Sequence, residues 1–338
     1  MDIPSINELL KQCEIYQDIL INGQLYKKGI RNCEDRYNYI KSLISISNRQ
    51  FTVLDIGANF GYYSLKIAEE FPNSYVIMIQ NGIEAQVLKE ICKYNTNIND
   101  RLCLLNITAN STNMKSLSEC EHFDYIICNN VLHHMPDYKE VYEILKKMCK
   151  YLIIETPPPE DNLSCGQPYL DYIYNIVNLE CSIKSGITFQ RHTNKSTYSN
   201  MYLLKFSELV NKELAYYNAP KQEKKYIHLI KDDERVFIKK NKDYKIQQPY
   251  IYGINLLTFV SLNGIYPTKN IIIDKISIDK IHTNYKFDNT LRDINTWNLL
   301  LNDKIFLIDT DNNLDGYNDY DDNLQLNNIK KFLQNNLI

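Results

Sequence analysis

A glycine-containing loop follows the first strongly apolar run of the sequence and has the composition of a ligand-binding turn. The run Val53–Ile56 is apolar except for Asp55, and Gly57 and Gly61 follow it closely. Glycine has no side chain, so a ligand can approach the backbone there. Asp55 would lie at the carboxyl end of a strand, where open α/β sheets bind ligands. The loop lacks the full GxGxxG dinucleotide fingerprint, which disfavours a nicotinamide cofactor.

Two adjacent histidines, His133 and His134, are the candidates for proton transfer. They follow an apolar run and the polar pair Asn129-Asn130. Unperturbed histidine titrates near pH 6.5, so it can take a proton at neutral pH. Glu155 ends the next apolar run and should face the same cleft. It could orient a histidine, bind a sugar hydroxyl, or simply pair with a nearby cation.

Strand-like apolar runs alternate with amphipathic segments, which predicts a parallel sheet with crossover helices. The predicted strands are Phe51–Ile56, Tyr75–Ile79, Leu102–Ile107, Phe123–Cys128 and Tyr151–Ile154. Tyr138–Tyr151 carries its apolar residues on one face and is predicted to be a crossover helix. Gly186–Arg191 and Ser199–Phe206 could form an antiparallel hairpin at the sheet edge, which would complete seven strands.

The flanking segments divide the chain into three predicted regions. Residues 1–50 should be a helical lid or packing segment, residues 51–206 the ligand-binding domain, and residues 207–338 an accessory α+β region. Three prolines, Pro157–Pro159, cannot continue a strand and so predict a rigid loop beside the cleft. A helix is expected from about Tyr169 to Leu179.

Composition excludes several function classes. The formal net charge of −3 gives no general attraction for nucleic acid or anionic lipid. Nine cysteines without a CxxC pair favour reduced thiols over disulfides or a zinc site, which predicts a cytoplasmic protein. No apolar stretch is long enough for a membrane span, and no signal peptide is expected. We predict no metal site in the ligand-binding domain.

The motifs together resemble those of the class I S-adenosylmethionine (SAM)-dependent methyltransferases over residues 51–206. That family has a Rossmann-like α/β fold and an acidic residue before a Gly-Ala-Asn type loop. The resemblance implies SAM as cofactor. Contacts with its methionine part are implied for the loop residues Asp55, Gly57, Ala58, Asn59, Gly61 and Tyr62. Contacts elsewhere on SAM are implied for Gln80, Asn81, Asn106, Asn129 and Asn130.

One position departs from the family pattern. The second strand usually ends in an acidic residue that holds both ribose hydroxyls, whereas this chain has Gln80, with Asn81 as a helper or a turn residue. An amide can accept one hydrogen bond and donate another, so ribose binding remains chemically feasible. Asn106, after the third strand, stands where the family contacts adenine, although a strand-end turn would also explain it.

The resemblance also implies the chemistry at the histidines. Methyl transfer to a hydroxyl needs an in-line nucleophile and a base, and His133 or His134 is the predicted base. Arg191, His192 and Tyr202 resemble, loosely, a basic and aromatic set in enzymes that modify sugars. We therefore expect O-methylation of a sugar or glycan hydroxyl, with a small-molecule or glycan acceptor. RNA methylation and a catalytically silent binding module are the alternatives, and the sequence does not set the oligomeric state.

The C-terminal tail resembles, weakly, the catalytic loop of protein kinases. Asp293, Asn298 and Asp309 are spaced like a base and two Mg²⁺ ligands, and Lys239 stands on a strand-like run. No glycine-rich loop precedes Lys239, and too few residues separate it from Asp293. The expected module is therefore either a degenerate kinase-like one or an unrelated one that shapes a substrate surface.

Overall fold

A computed structural model of the chain describes residues 3–44, 50–177, 182–190 and 195–206, with shorter segments between 212 and 331. The chain divides into two compact units. The first consists of Met1–Ser118 and His122–Ser207, and the second of Glu119–Glu121 and Glu208–Ile338.

Strands and helices alternate along most of the first unit. Its strands are β1 (Ile19–Ile21), β2 (Gln24–Lys27), β3 (Phe51–Ile56), β4 (Ser74–Ile79), β5 (Leu102–Leu105), β6 (Phe123–Asn129), β7 (Cys149–Thr156), β8 (Ser182–Gln190) and β9 (Lys195–Lys205). Its helices are α1 (Pro4–Leu10), α2 (Cys33–Leu43), α3 (Tyr62–Glu70), α4 (Gly82–Tyr94), α5 (Ser111–Cys120), α6 (Tyr138–Met148), α7 (Asn162–Cys165) and α8 (Gln167–Leu170).

Seven strands of the first unit follow one another in the order β5-β4-β3-β6-β7-β9-β8. Strands β3 to β7 pair in parallel, whereas β9 is antiparallel to both β7 and β8. Every residue of β3, β4 and β5 is buried, as expected for parallel strands covered by helices on both faces. The predicted α/β fold with a mostly parallel sheet and crossover helices is confirmed, as is the terminal hairpin. Its strand β8 begins four residues earlier than predicted.

The N-terminal segment is not helical throughout, so that prediction was wrong. A hairpin of β1 and β2 separates α1 from α2, and its two turn residues are Asn22 and Gly23 with φ of 47° and 73°. Asn-Gly is the preferred pair for such a two-residue turn, because both positions need positive φ. The side chain of Asn95, at the end of α4, bonds both Asn22 N and Leu20 O, which attaches the hairpin to the domain.

Two helix predictions needed new boundaries. Helix α6 begins at Tyr138 as predicted, with Val141, Leu145 and Met148 buried, but it ends at Met148 because β7 starts at Cys149. The helix expected from Tyr169 begins at Gln167 as α8 and continues as a π-helical turn over Asp171–Ile176.

The second unit contains two small sheets. One has the order β10-β11-β12-β13 and is antiparallel; the other has the order β14-β17-β18-β16. The second unit's strands are β10 (Lys212–Leu214), β11 (Lys225–Lys231), β12 (Glu234–Lys240), β13 (Lys245–Pro249), β14 (Ile254–Asn255), β15 (Gly264–Ile265), β16 (Ile281–His282), β17 (Leu299–Leu301) and β18 (Ile305–Leu307).

The tail predictions are only partly covered by the structure. The strand-like run that carries Lys239 forms β12, Glu234–Lys240. The kinase-like Asp293, Asn298 and Asp309 lie outside the described residues, so their role stays a prediction. Within the described part of the chain, none of the helices has the length and hydropathy that crossing a membrane requires.

Candidate active site

A cavity of about 650 Å³ lies in the first unit, where the loops after β3, β4, β6 and β7 meet. Parallel α/β sheets bind ligands at this edge, and the volume suits a small-molecule ligand. The N-terminal segment contributes one wall, and the proline loop and the last strand contribute another. The lining residues are Gln12, Cys13, Glu14, Tyr16, Gln17, Arg31, Gly57, Asn59, Tyr63, Gln80, Ile83, Glu84, Asn129, Asn130, Val131, His133, His134, Pro157, Pro158, Asp161, Ser164 and Ser199.

The glycine loop after β3 requires its glycines. Gly57 and Gly61 have φ of 71° and 77°, a region that favours glycine. A Cβ at Gly57 would lie 2.5 Å from Val131 Cγ2, and one at Gly61 would lie 2.6 Å from Leu88 Cδ1. Asn59, between them, also has positive φ, at 54°, which asparagine tolerates better than most residues. The loop therefore holds a conformation in which its backbone faces the cavity.

Asp55 supports this loop from beneath and does not line the cavity. It is 2% exposed and accepts a hydrogen bond from Ser64 Oγ at 2.7 Å, in the first turn of α3. Burial raises the pKa of the Asp55 carboxyl to about 6, and the Ser64 hydrogen bond opposes that shift. The structure therefore bonds Asp55 to the first turn of α3, and its implied contact with SAM stays a prediction.

Gln80 joins the second strand end to the glycine loop. Its Oε1 accepts the Asn59 N–H at 2.8 Å, and its Nε2 donates to the Asn81 carbonyl at 3.1 Å. Asn81 Nδ2 in turn donates to Thr108 Oγ1 at 2.8 Å, in the loop after β5. Three loops at the carboxyl edge are thus linked through side-chain amides.

Several polar atoms around the cavity are buried without a hydrogen-bond partner in the described part of the chain. They are Asn59 Oδ1, both side-chain polar atoms of Asn129, Asn130 Oδ1, His133 Nδ1, Arg31 Nε, the Tyr63 hydroxyl and Ser164 Oγ. Leaving a buried polar group unpaired costs about 1–3 kcal/mol, so native proteins rarely keep several together without a ligand or water to bond them. Asn130 has a left-handed φ of 53°, and its N–H donates to the Glu155 carbonyl at 2.9 Å. These atoms mark the polar part of the site.

The two histidines form a close pair with tilted rings in a 3₁₀ turn, Leu132–His134, after β6. Their ring centroids are 3.9 Å apart. Burial, the neighbouring His134 and the charge of Arg31 lower the pKa of His133 to about 3. Burial also lowers the pKa of His134, which is the more exposed of the two. Both rings are therefore neutral at pH 7 and can accept a hydrogen bond.

Glu155 lies in a buried ion cluster. Its carboxylate accepts hydrogen bonds from Arg31 Nη2 and, at 2.9 Å, from Arg36 Nε, and all three side chains are at most 3% exposed. Burial opposes the charge of Arg31, but Glu155 raises its pKa above the ordinary value. Arg31 also donates to the Tyr16 hydroxyl. Of the three predictions for Glu155, its contacts match pairing with a cation. Glu155 was also expected to face the cleft, but it does not line the cavity.

The N-terminal wall was missed by the sequence reasoning. Gln17 Oε1 accepts the Tyr62 N–H at 3.3 Å, at the start of α3, and Tyr62 itself points its hydroxyl to Glu34. Tyr63, rather than Tyr62, lines the cavity. The sequence around Gln17 or Arg31 has no local pattern that would place either side chain at the cavity. The Asn22-Gly23 turn could have revealed the hairpin that positions this wall.

The predicted site residues fall into two groups. Those that line the cavity are Gly57, Asn59, Gln80, Asn129, Asn130, His133 and His134. Those that do not line it are Asp55, Ala58, Gly61, Tyr62, Asn81, Asn106 and Glu155. Most of the second group are buried or bonded beneath the loops that the first group occupies. Arg191 and His192 lie outside the described residues, whereas Tyr202 is buried on β9.

Comparison with protein families identifies the central part of the first unit. A family model described as a methyltransferase domain matches residues 54–151, which run from β3 into β7. The comparison with curated proteins gave no sequence match.

Solved structures give only distant likenesses. The bifunctional kinase-methyltransferase WbdD is 18% identical with a TM-score of 0.46; the match covers 69% of this chain and 55% of that one. An O-methyltransferase family protein from Burkholderia thailandensis is 13% identical with a TM-score of 0.36, covering 51% and 57%. The magnesium protoporphyrin IX methyltransferase of Synechocystis, solved with bound SAM, is 15% identical with a TM-score of 0.37, covering 53% and 86%.

These likenesses decide neither the cofactor nor the acceptor, since all three TM-scores are below 0.5, and the chain spans just over half the length of WbdD. Independently of the solved structures, the sheet order, the glycine loop and the family match all indicate the same type of domain. Residues 54–151 of this chain match the methyltransferase-domain model, and the sheet that they help to form has the strand order of a Rossmann-like α/β fold.

Proposed function

We propose that the first unit binds SAM in the 650 Å³ cavity and transfers its methyl group to a hydroxyl of a sugar or glycan. The observation that carries the proposal is the set of buried, unpartnered polar atoms at the cavity edge of a methyltransferase domain. A ligand rich in hydrogen-bonding groups would pair with them and remove their desolvation cost.

The residues around the cavity fit SAM. Gly57 and Asn59 would face its methionine part, because the loop leaves backbone and an unpartnered amide oxygen available there. Gln80 stands at the end of β4, beside the position expected for the ribose. Asn129 and Asn130, at the end of β6, offer three unpartnered amide atoms between the loop and the histidines. When bound, SAM supplies an electrophilic methyl group on a sulfonium.

The histidine turn would handle the acceptor's proton. A general base works best when its pKa is near the working pH, and the pKa of His133, about 3, is far below it. We therefore assign the base role to His134, which is more exposed. His133 would accept a hydrogen bond through Nδ1 and orient the acceptor hydroxyl. This assignment prefers the second of the two histidines that the sequence offered.

The far wall supports a polyhydroxylated acceptor. It combines rigid apolar surface from Pro157 and Pro158 with the carboxylate of Asp161 and the unpartnered hydroxyl of Ser164. Apolar faces and hydrogen-bonding groups together suit a sugar ring. The cytoplasmic location remains a prediction from the cysteine pattern, and the role of residues 207–338 as an accessory region remains one as well.

Calorimetry with SAM and S-adenosylhomocysteine (SAH) tests the cofactor, and turnover against nucleotide sugars, free glycans and capped RNA tests the acceptor. We expect binding of both cofactor forms and methylated sugar as product. Product from RNA alone would replace the glycan proposal with RNA methylation. Failure to bind either form at millimolar concentration would leave a silent module.

Substitution of the histidines separates their roles. We expect His134→Gln to lower kcat by about 10²- to 10⁴-fold without changing SAH affinity, because it removes the base. His133→Gln should chiefly raise KM, since it removes only an orienting contact. On the acid side, kcat should rise with pH through a pKa below 6.5, because the pKa of His134 is lowered. Equal kcat in His134→Gln and the parent chain would contradict the assignment.

A further inference from the structure

The end of β4 carries an amide where a ribose-binding carboxylate is usual, and its hydrogen bonds are largely used within the protein. Gln80 Oε1 accepts the Asn59 N–H and its Nε2 donates to the Asn81 carbonyl. A carboxamide has two acceptor lone pairs and two donor hydrogens, so one of each remains. Gln80 can therefore still accept one hydrogen bond from a ligand and donate one to it, but it brings no charge to the site.

A carboxylate lies one turn further along, on Glu84. It is the third residue of α4, a helix of 13 residues, and it lines the same cavity as Gln80 and Ile83. It makes no hydrogen bond or ion pair with another described residue. Its Oε2 would lie 3.3 Å from a Cβ placed at Gly82, so the carboxylate reaches back towards the end of β4.

We propose that Glu84 provides the carboxylate that accepts hydrogen bonds from the two ribose hydroxyls of SAM, with Gln80 holding the glycine loop in place. The inference rests on the proposed SAM binding. A carboxylate has two oxygens and accepts two hydroxyl hydrogens side by side, and such charge-assisted bonds are about twice as strong as neutral ones. Gly82 makes the approach feasible because a side chain there would press against Oε2.

The electrostatics of the cavity agree with this position. Burial and the Glu84 carboxylate both raise the pKa of the Cys13 thiol, and Cys13 belongs to the N-terminal wall. The negative charge of Glu84 is therefore felt across the cavity. A residue that served only the dipole of α4 would also be acidic in the first turn, so the experiment must separate helix stabilisation from ligand contact.

The test measures SAH binding by calorimetry for the parent chain, Glu84→Gln and Glu90→Gln, using SAH and its 2′-deoxy and 3′-deoxy analogues. Glu90 is a matched control, because it lies on the same helix, pairs with Lys93 and does not line the cavity. We expect Glu84→Gln to weaken SAH binding about 10- to 100-fold and Glu90→Gln to leave it unchanged. The deoxy analogues should lose much less affinity on Glu84→Gln than SAH does.

A second variant guards against a purely structural effect. Gln80→Glu combined with Glu84→Gln returns a carboxylate to the end of β4 and should recover part of the lost affinity. Equal SAH affinity in Glu84→Gln and the parent chain would overturn the inference while leaving the SAM proposal intact. Equal losses for SAH and both deoxy analogues would overturn it too. If the parent chain binds no SAH, the proposed function itself fails.

Discussion

The two ends of the cavity are built in different ways. Sheet order places β4 and β3 at one end and β6 and β7 at the other, so Gln80 and the proline loop are separated by three strand spacings, roughly 14 Å. The first end is made of loop backbone, left-handed residues and side-chain amides. The second is made of a neutral histidine pair above a buried cluster of two arginines and one glutamate.

The difference is in hydrogen bonding: some polar side chains still lack a partner that a ligand could supply, whereas others are already paired within the fold. Asn59 and Asn130 keep buried oxygens without described partners, whereas the Glu155 carboxylate is bonded by Arg31 and Arg36. Titratable groups in a cleft are often functional, but the buried and paired Glu155 carboxylate at this edge serves to hold the fold together. Substitutions at Glu155, Gly57 and His133 test that division.

Removal of the scaffold charge should have the largest effect. Glu155→Gln removes the carboxylate that pairs with the buried Arg31 and Arg36 and should lower the free energy of unfolding by about 3–5 kcal/mol in urea titrations. Glu143→Gln is the control, because its pair with Lys146 is exposed and should contribute under about 1 kcal/mol. A stable Glu155→Gln protein that has lost activity would instead place Glu155 in the catalytic machinery.

The glycine loop should respond to a single methyl group. Gly57→Ala forces a positive φ on alanine and places its Cβ against Val131, so we expect a loss of about 1–3 kcal/mol in stability and much weaker SAH binding. Gly166→Ala has a similar φ with a ψ of 150°, a region essentially restricted to glycine, and its nearest neighbour is Pro168 Cδ at 3.7 Å, so it measures a backbone cost without a steric clash. Val131→Ala combined with Gly57→Ala should recover part of the loss; no recovery would mean that the contact with Val131 is unimportant.

The buried histidine should give the smallest effect, visible as a pH dependence. The pKa of His133 is about 3 in the folded protein against about 6.5 when unfolded, so the unfolded chain binds more protons between these values. At pH 7 the shift changes stability very little, because His133 is neutral in both states; below pH 6.5 stability is lost at up to about 1.4 kcal/mol per pH unit. Asp55, with its pKa raised to about 6, acts in the opposite direction between pH 4 and 6.

Comparison at matched pH removes the contribution of Asp55. Thermal or urea unfolding of His133→Asn should therefore show a shallower loss of stability below pH 6.5 than the parent chain. His134→Asn is the control, since its ring is more exposed and should change the slope less. Identical slopes for His133→Asn and the parent chain would show that His133 is not held neutral by its surroundings.

Local sequence patterns were sufficient for much of the domain. The apolar run into Gly57 and the alternation after it predicted the parallel sheet and its glycine loop, because buried strands and left-handed turns demand particular residue types at each position. The same patterns brought seven predicted site residues to one cavity. They failed over residues 1–50, where a helical segment was expected and the Asn22-Gly23 turn instead forms a hairpin.

The sequence by itself determined the class of fold, the glycine loop and the order of motifs at the sheet edge, since these depend on residue type and short spacing. Only the tertiary structure decided that Glu155 meets Arg31 and Arg36, more than 100 positions earlier. It also decided that His133 is the more buried histidine and that Glu84 opens into the cavity. Burial, counter-ions and cavity walls come from packing between distant segments, and no local pattern records which segments meet.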